Sequence, residues 1–437
     1  MEIFSSYNVI IGISLTIILS FIFNGIAKKT NVPAVLMLIV LGIILQYILK
    51  AFGADSNTFL PMLEVLGIVG LIMIVLEAAL ELELKSDKLM PILKSMGVAL
   101  IGLVASTFIA AVILKALIKG MTMQSAWLYA TPLSILSSAI IIPSVSGLSD
   151  SKKEFHIYES TFSDILGIML FYFLAGRLNP AEDAGVGGFF LNLILTIVIS
   201  LVASYAIILI FQKIKSQVKL FLLIAVLLLL YALGKKMHLS SLIIILIFGL
   251  VIANMKLFFQ GKLRQYLDFE KAKSIYHELH VITAETAFVV RTLFFVIFGI
   301  TIVLSSLLSL KVTLISLLIL VSIYAIRYGL LRLFMGKDIF PQLFIAPRGL
   351  ITVLLFYAIP EEAMIEGFEP GVLLFVIIGT SLIMTWGMIR DKKKNPEVLE
   401  EATEEQKNIE ETEYFINNTT DLSDIENPSA SGEHELE

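Results

Sequence analysis

Thirteen apolar stretches follow one another through this chain, and they leave it few ways to fold. They lie at about 8–26, 33–50, 61–82, 96–118, 125–148, 156–178, 188–211, 218–234, 239–256, 284–304, 308–332, 341–360 and 370–390. Most are near the ~20 residues a helix needs to cross a bilayer. Hydrocarbon offers no water to the backbone, so each N–H and C=O must be satisfied within the fold. The expected fold class is therefore an all-α polytopic membrane protein with about 13 transmembrane helices. Composition agrees: 57% of residues are hydrophobic and 16% charged, against roughly 25% charged in soluble domains. With no cysteine in the chain, disulfides, thiolate metal sites and thiol catalysis are excluded. The start, Met1-Glu2-Ile3-Phe4, has no basic n-region or small-residue cleavage site, so no removed signal peptide is expected.

The connections give an orientation. Alternate loops hold Lys28-Lys29, Lys85 with Lys88, Lys152-Lys153, Lys213 with Lys215, Lys262 with Arg264, Lys337 and Lys392-Lys393-Lys394. The other set holds little beyond Lys50, Lys119, Arg177, Lys235-Lys236 and Lys311. Positive loops stay inside, which predicts an outside N-terminus and a cytoplasmic C-terminus in a bacterial-type plasma (inner) membrane. Residues 257–283 mix basic, acidic and aromatic side chains and predict an amphipathic helix lying on the cytoplasmic surface. Residues 391–437 are acidic and polar and predict a disordered tail. That tail's acidity outweighs a net positive remainder and gives the chain its net charge of −5. The glycosylation-type triplets at Asn417 and Asn418 fall on its cytoplasmic side and are discounted.

An odd number of spans fits two six-helix halves joined by the segment at 188–211. The halves then start from opposite faces and form inverted repeats, a transporter plan in which broken helices meet at the midplane. The corresponding fifth and twelfth segments both carry helix breakers. The fifth reads Thr131-Pro132-Leu133-Ser134-Ile135-Leu136-Ser137-Ser138-Ala139, with Pro143 later; the twelfth reads Ala346-Pro347-Arg348-Gly349-Leu350, with Pro341 and Pro360 at its ends. Proline removes a donor and disrupts the turn before it, and the freed carbonyls need hydroxyls or ions as partners.

The sixth segment carries the chemistry. It contains Glu159 and Asp164 near the start of an apolar run. A charge inside hydrocarbon costs at least about 2.5–3.5 kcal/mol and marks an ion or proton pathway by default. If the helix starts near Phe155, Asp164 lies about 14 Å along it, close to the middle of a ~30 Å core. Ser160 shares a face with Asp164, whereas Glu159 points about 140° away. One acid can thus face an ion cleft and the other a neighbouring helix; the plain alternative is that both are structural. Asp164, Ser160 and fifth-segment oxygens form a hard oxygen site suited to sodium. A buried carboxylate holds its proton more tightly than an exposed one, so one site can hold a proton or a cation by turns. Three further residues each have two readings. Arg291 lines the cleft or snorkels to the surface. Arg348 supports the crossing of the broken helices or anchors the inner face. Glu77, near Glu81 and Glu83, is a deep functional acid or a snorkelling or helix-pairing group. His156 is placed at the cytoplasmic mouth of the key helix.

Glu-Ser-x-x-Ser-Asp at residues 159–164 resembles the Glu-Ser-x-x-Asn-Asp signature of the monovalent cation/proton antiporter superfamily, electroneutral sodium/proton exchanger branch. Further resemblances are Glu81-Leu82, Ser137-Ser138-Ala139, Phe294-Phe295-Val296-Ile297-Phe298-Gly299, Ala325-Ile326-Arg327 and Pro347-Arg348-Gly349. The resemblance implies exchange of Na⁺ for H⁺ in pH homeostasis, by alternating access in a homodimer. Helices at about 96–178 and 308–390 would form a moving core, and those at about 8–82 and 218–304 a dimerisation domain. It implies Asp164 as the sodium carboxylate, helped by Ser160 and fifth-segment hydroxyls, with Glu159 and Arg327 as an ion pair. Ser163 stands where the family usually has Asn and joins the candidate ion-binding set. The family's Thr-Asp-Pro is missing, leaving Thr131 or Ser137-Ser138 for its role. The expected partners are Na⁺ (or K⁺ or Li⁺), H⁺, membrane lipid and a second copy, with no nucleic acid, no cofactor and no enzymatic activity. Exchange of K⁺ for H⁺ is the rival reading, and a cation channel ranks behind both because no filter loop is visible.

Overall fold

The computed structural model of the 437-residue chain describes residues 6–30, 32–51, 59–82, 84, 88–145, 147–178, 185–214, 219–236, 241–302, 306–307 and 309–394. Its helices are α1 (Ser6–Thr30), α2 (Ala34–Ala51), α3 (Leu60–Glu81), α4 (Leu89–Leu117), α5 (Met123–Ser134), α6 (Ser138–Ser144), α7 (Asp150–Gly176), α8 (Gly185–Phe211), α9 (Lys219–Lys236), α10 (Ser241–Ala253), α11 (Met255–Phe258), α12 (Phe269–Thr301), α13 (Leu310–Met335), α14 (Leu350–Tyr357) and α15 (Gly371–Lys394). Among the described residues there is no strand. Nine helical stretches there are long and apolar enough to cross a membrane, α5 and α6 counting as one. Each of the thirteen expected segments contains a helix, although α10 has 13 residues and α14 only eight. Large apolar side chains such as Phe21, Leu191, Val202 and Val321 are exposed, as expected of a surface whose solvent is lipid.

The helices pack in two groups. α4 lies against α5, α7 and α13, and α13 against α15; α12 lies against α2 and α3, and α10 against α3 and α8. Contacts of α3 with α7 and α14 join the groups. Close approach is built from small residues. Where α2 crosses α12, a Cβ on Gly42 would strike the Val296 carbonyl and come within 2.8 Å of Gly299 Cα. Helix ends are closed by side chains from neighbours, as orphan carbonyls in lipid require. Gln46 Nε2 donates to the carbonyls of Ile300 and Ile302, each at 2.6 Å, where α12 ends. Asn254 Nδ2 donates to the Leu82 carbonyl at 2.8 Å, and its Oδ1 accepts from the Leu84 amide at 2.6 Å, where α3 ends.

Two expectations need correction. Residues 257–283 do not form a separate surface helix. A 3₁₀ turn at Gly261–Tyr266 leads into α12, capped by Asp268, which runs without a break into the tenth apolar segment. The reason is continuity of the buried face: Ala272, Ile275, Leu279, Thr283 and Ala287 recur every three or four residues with no breaker between them. In the twelfth segment, residues 340–349 are turn and extended chain rather than half a helix, and helix begins only at Leu350. Of the predicted tail, residues 391–394 end α15, and 395–437, with Asn417 and Asn418, lie outside the described residues. Glu83 lies outside them too.

Candidate functional site

The fifth segment breaks between Ser134 and Ser138, beyond Pro132, which sits inside α5. Tertiary partners hold the break open. The Leu136 amide donates to Ser163 Oγ of α7 at 3.0 Å, and the Ser137 amide donates to the Pro347 carbonyl at 3.0 Å. The extended stretch before α14 thus crosses the break in the fifth segment. Contact is so close that a Cβ on Gly349 would meet Ser137 Oγ, which explains a glycine at this point.

α7 delivers Asp164 to the crossing, 2% exposed. Ser138 Oγ donates to Asp164 Oδ2. Asp164 Oδ1 is buried and has no hydrogen-bond partner among the described residues. Beside it lies a cavity of about 20 Å³ with a mostly apolar wall, including Ile74 and Val75 of α3, Leu242 of α10 and Ile351 of α14. The site therefore sits where the two helix groups meet. Of the other candidate hydroxyls, Ser160 donates to the carbonyls of His156 and Ile157 at 2.7 and 3.2 Å, and Thr131 to that of Trp127 at 2.8 Å. Both are turned back along their own helices. Ser163 and Ser137 hold the break, and Ser138 alone of the set bonds to Asp164.

Glu159, on the far side of α7, is 1% exposed. Arg327 of α13 grips it with Nη1 and Nη2 at 2.7 and 3.0 Å and donates Nε to the Gln342 carbonyl at 3.0 Å. His156 is not at a mouth: it is fully buried, with Nδ1 at 3.2 Å from Glu159 Oε2. Helical spacing separates the two acids of α7 as the 140° angle requires.

A sequence profile described as "Sodium/hydrogen exchanger, transmembrane" matches residues 14–389. The chain belongs to the sodium/hydrogen exchanger family. As a member, the exchanger is a multi-pass membrane transporter that trades a cation for protons. Comparison with curated proteins by sequence finds no match. Among solved structures, the exchanger is similar to the sodium proton antiporter MjNhaP1 from Methanocaldococcus jannaschii at pH 8, with TM-score 0.66 and 19% identity over 89% of this chain and 97% of that one. It is also similar to a structure of the same antiporter from an electron-microscopy map, with TM-score 0.64 and 21% identity over 91% and 98% of the two chains. At these identities the likeness concerns the fold.

Two arginines lie beside the candidate site. Arg291 of α12 does not snorkel. Its Nη2 bonds Glu77 Oε2 of α3 at 2.9 Å, and its Nη1 donates to the Ala139 carbonyl beside Ser138 at 3.3 Å. Glu77 thereby pairs two helices, and the pair touches the break. Arg348 is 2% exposed. Its Nε donates to the Leu133 carbonyl at 2.8 Å and its Nη1 to the Ala346 carbonyl at 3.0 Å. A cation there offsets the negative end of α5. Thr380 of α15, which sequence reasoning missed, accepts the Arg348 amide at 3.0 Å. It is one of many hydroxyls on apolar helices, and only its place opposite a non-helical backbone distinguishes it.

Proposed function

We propose that this exchanger trades one Na⁺ for one H⁺ at Asp164 by alternating access. The observation that supports this most is a buried carboxylate, Asp164, at the crossing of two broken segments, one oxygen held by Ser138 and the other open beside a cavity. Asp164 and Ser138, with backbone carbonyls freed by the break, are hard oxygen ligands of the kind sodium takes. A carboxylate that binds a cation must release its proton first, so competition for one group couples the two fluxes. Glu159 has both oxygens occupied by Arg327 and does not join the cycle, and Ser163, next to Asp164, carries no titratable proton. The exchange is therefore electroneutral. In this reading helices at about 96–178 and 308–390 form the moving core. Those at about 8–82 and 218–304 form the scaffold of a homodimer in a bacterial-type inner membrane, N-terminus outside and C-terminus cytoplasmic.

The test is purified protein in proteoliposomes with an internal pH dye, challenged with Na⁺, Li⁺, K⁺ and Ca²⁺. Wild type dissipates a proton gradient on Na⁺ addition, and Asp164→Asn does not, while eluting as the same species in detergent. Exchange retained by Asp164→Asn refutes the site. A response to K⁺ and not Na⁺ refutes the choice of cation alone.

A further inference from the structure

A second cavity, of about 30 Å³, lies away from Asp164 between α4, α13 and the crossing. Ser106, Ser134, Glu159, Ser163, Arg327 and Arg348 supply its polar wall. Each is nine-tenths buried or more. Its charges do not balance. Glu159 neutralises Arg327 by the two bonds described above, and among the described residues Arg348 has no carboxylate partner, only the carbonyls of Leu133 and Ala346. One full positive charge is therefore left among buried side chains, offset in part by the carbonyl end of α5.

Donors are in surplus too. Arg348 has five N–H groups, and among the described residues two of its nitrogens have acceptors. Ser106 Oγ, from α4, makes no hydrogen bond there although the residue is 5% exposed. Ser163 Oγ accepts from the Leu136 amide, which leaves its own hydrogen to give. Both Glu159 oxygens accept from Arg327, and Ser134 Oγ gives its one hydrogen to the Ala130 carbonyl, so the unspent donors are those of Arg348, Ser106 and Ser163. A buried space with a net positive charge and unspent donors on Arg348, Ser106 and Ser163 suits a small monovalent anion. We propose that this cavity binds chloride as a structural ion. It is separate from the cation site, because Asp164 is not among the residues lining it. The anion neutralises Arg348 and bridges α4 to the crossing, so it stabilises the broken segments without being carried across the membrane.

The experiment is thermal unfolding of the purified full chain in detergent at constant ionic strength, with chloride or bromide titrated against gluconate. The wild-type midpoint rises and saturates with chloride and with bromide. Ser106→Ala removes one hydrogen bond to a charged partner and weakens the half-saturating concentration about tenfold. Ser106→Asp places a tethered carboxylate in the cavity, raises the midpoint in gluconate and abolishes the chloride response. Crystals grown in bromide give an anomalous peak between Arg348 and Ser106. Equal wild-type midpoints in chloride and gluconate overturn the proposal. So does a chloride response that survives in Ser106→Asp, or a cavity that holds water in bromide crystals with no anomalous signal. If Ser106→Asp does not fold, Ser106→Ala and the bromide peak still decide.

Discussion

At the scale of single residues, the two acids of α7 differ in how their oxygens are used. Asp164 keeps one oxygen open, whereas Glu159 spends both on Arg327. Removing one member of a buried pair strands the other, at about 3–5 kcal/mol. Glu159→Gln and Arg327→Gln each lower the unfolding midpoint in detergent, and the double substitution recovers much of the loss. Strictly additive losses in this cycle would show that the two do not act as a pair. His156 belongs to the same cluster, with Nδ1 3.2 Å from Glu159 Oε2 and a buried Nε2 that has no hydrogen-bond partner among the described residues. Ser138 presents a different expectation. Among the described residues its hydroxyl is the one side chain bonded to Asp164, and a hydrogen bond to a charged group contributes about 1.5–3 kcal/mol. Ser138→Ala raises the Na⁺ concentration for half-maximal exchange by about tenfold or more. Ser160→Ala and Thr131→Ala, whose hydroxyls serve their own helices, change it far less.

At the scale of helices, one packed group depends on α12 meeting α2 and α3 with no space to spare. A Cβ at Gly299 would fall 2.9 Å from Gly42 Cα, and backbone cannot yield as a flexible side chain does. Gly42→Val separates α2 from α12 and lowers stability by more than about 3 kcal/mol, the cost of overpacking a core. Gln46→Ala leaves the carbonyls of Ile300 and Ile302 without their donor and costs about 1–3 kcal/mol. Thermal unfolding of each variant in detergent checks both. Neither Gly42 nor Gln46 lines the cavity beside Asp164, so surviving molecules retain their Na⁺ affinity. Loss of affinity without loss of stability would place the crossing of α2 and α12 in the proposed site.

At the scale of the whole molecule, the proposed electroneutral exchange has a direct consequence. A cycle that moved one net charge would gain or lose about 2.3 kcal/mol per 100 mV. In proteoliposomes clamped with valinomycin and potassium, the sodium-driven rate stays constant between 0 and about −100 mV. A voltage-dependent rate would mean that a second group titrates, with Glu159 the first suspect. Orientation is equally open to measurement, because the chain has no cysteine. Single cysteines at the exposed positions Lys119, Lys236 and Lys273 report sidedness without background. An impermeant maleimide added outside whole cells labels Lys119→Cys and Lys236→Cys and spares Lys273→Cys; the reverse pattern would invert the topology.

Apolar runs of bilayer length in the sequence are enough to dictate the all-α membrane fold, because they leave the backbone only itself to bond with. The same sequence separated Asp164 from Glu159, because residues five apart on a helix cannot face the same way. It pointed to Arg327 by resemblance, and distance in sequence hides such a contact from any local reading. Packing between distant segments settles where the fifth segment breaks. Pro132 is tolerated inside α5, and the chain opens three residues later, where Ser163 and Pro347 supply partners for the freed amides. It also decided which hydroxyl serves Asp164. Ser160 and Thr131 lie on helices that accept their protons locally, whereas Ser138 begins a helix just past a gap and has Asp164 within reach. The amphipathic look of residues 257–283 misled for a related reason: a helix with one apolar stripe can lie on a membrane or bury that stripe against neighbours, and only the packing of α2 and α3 against α12 distinguishes the two.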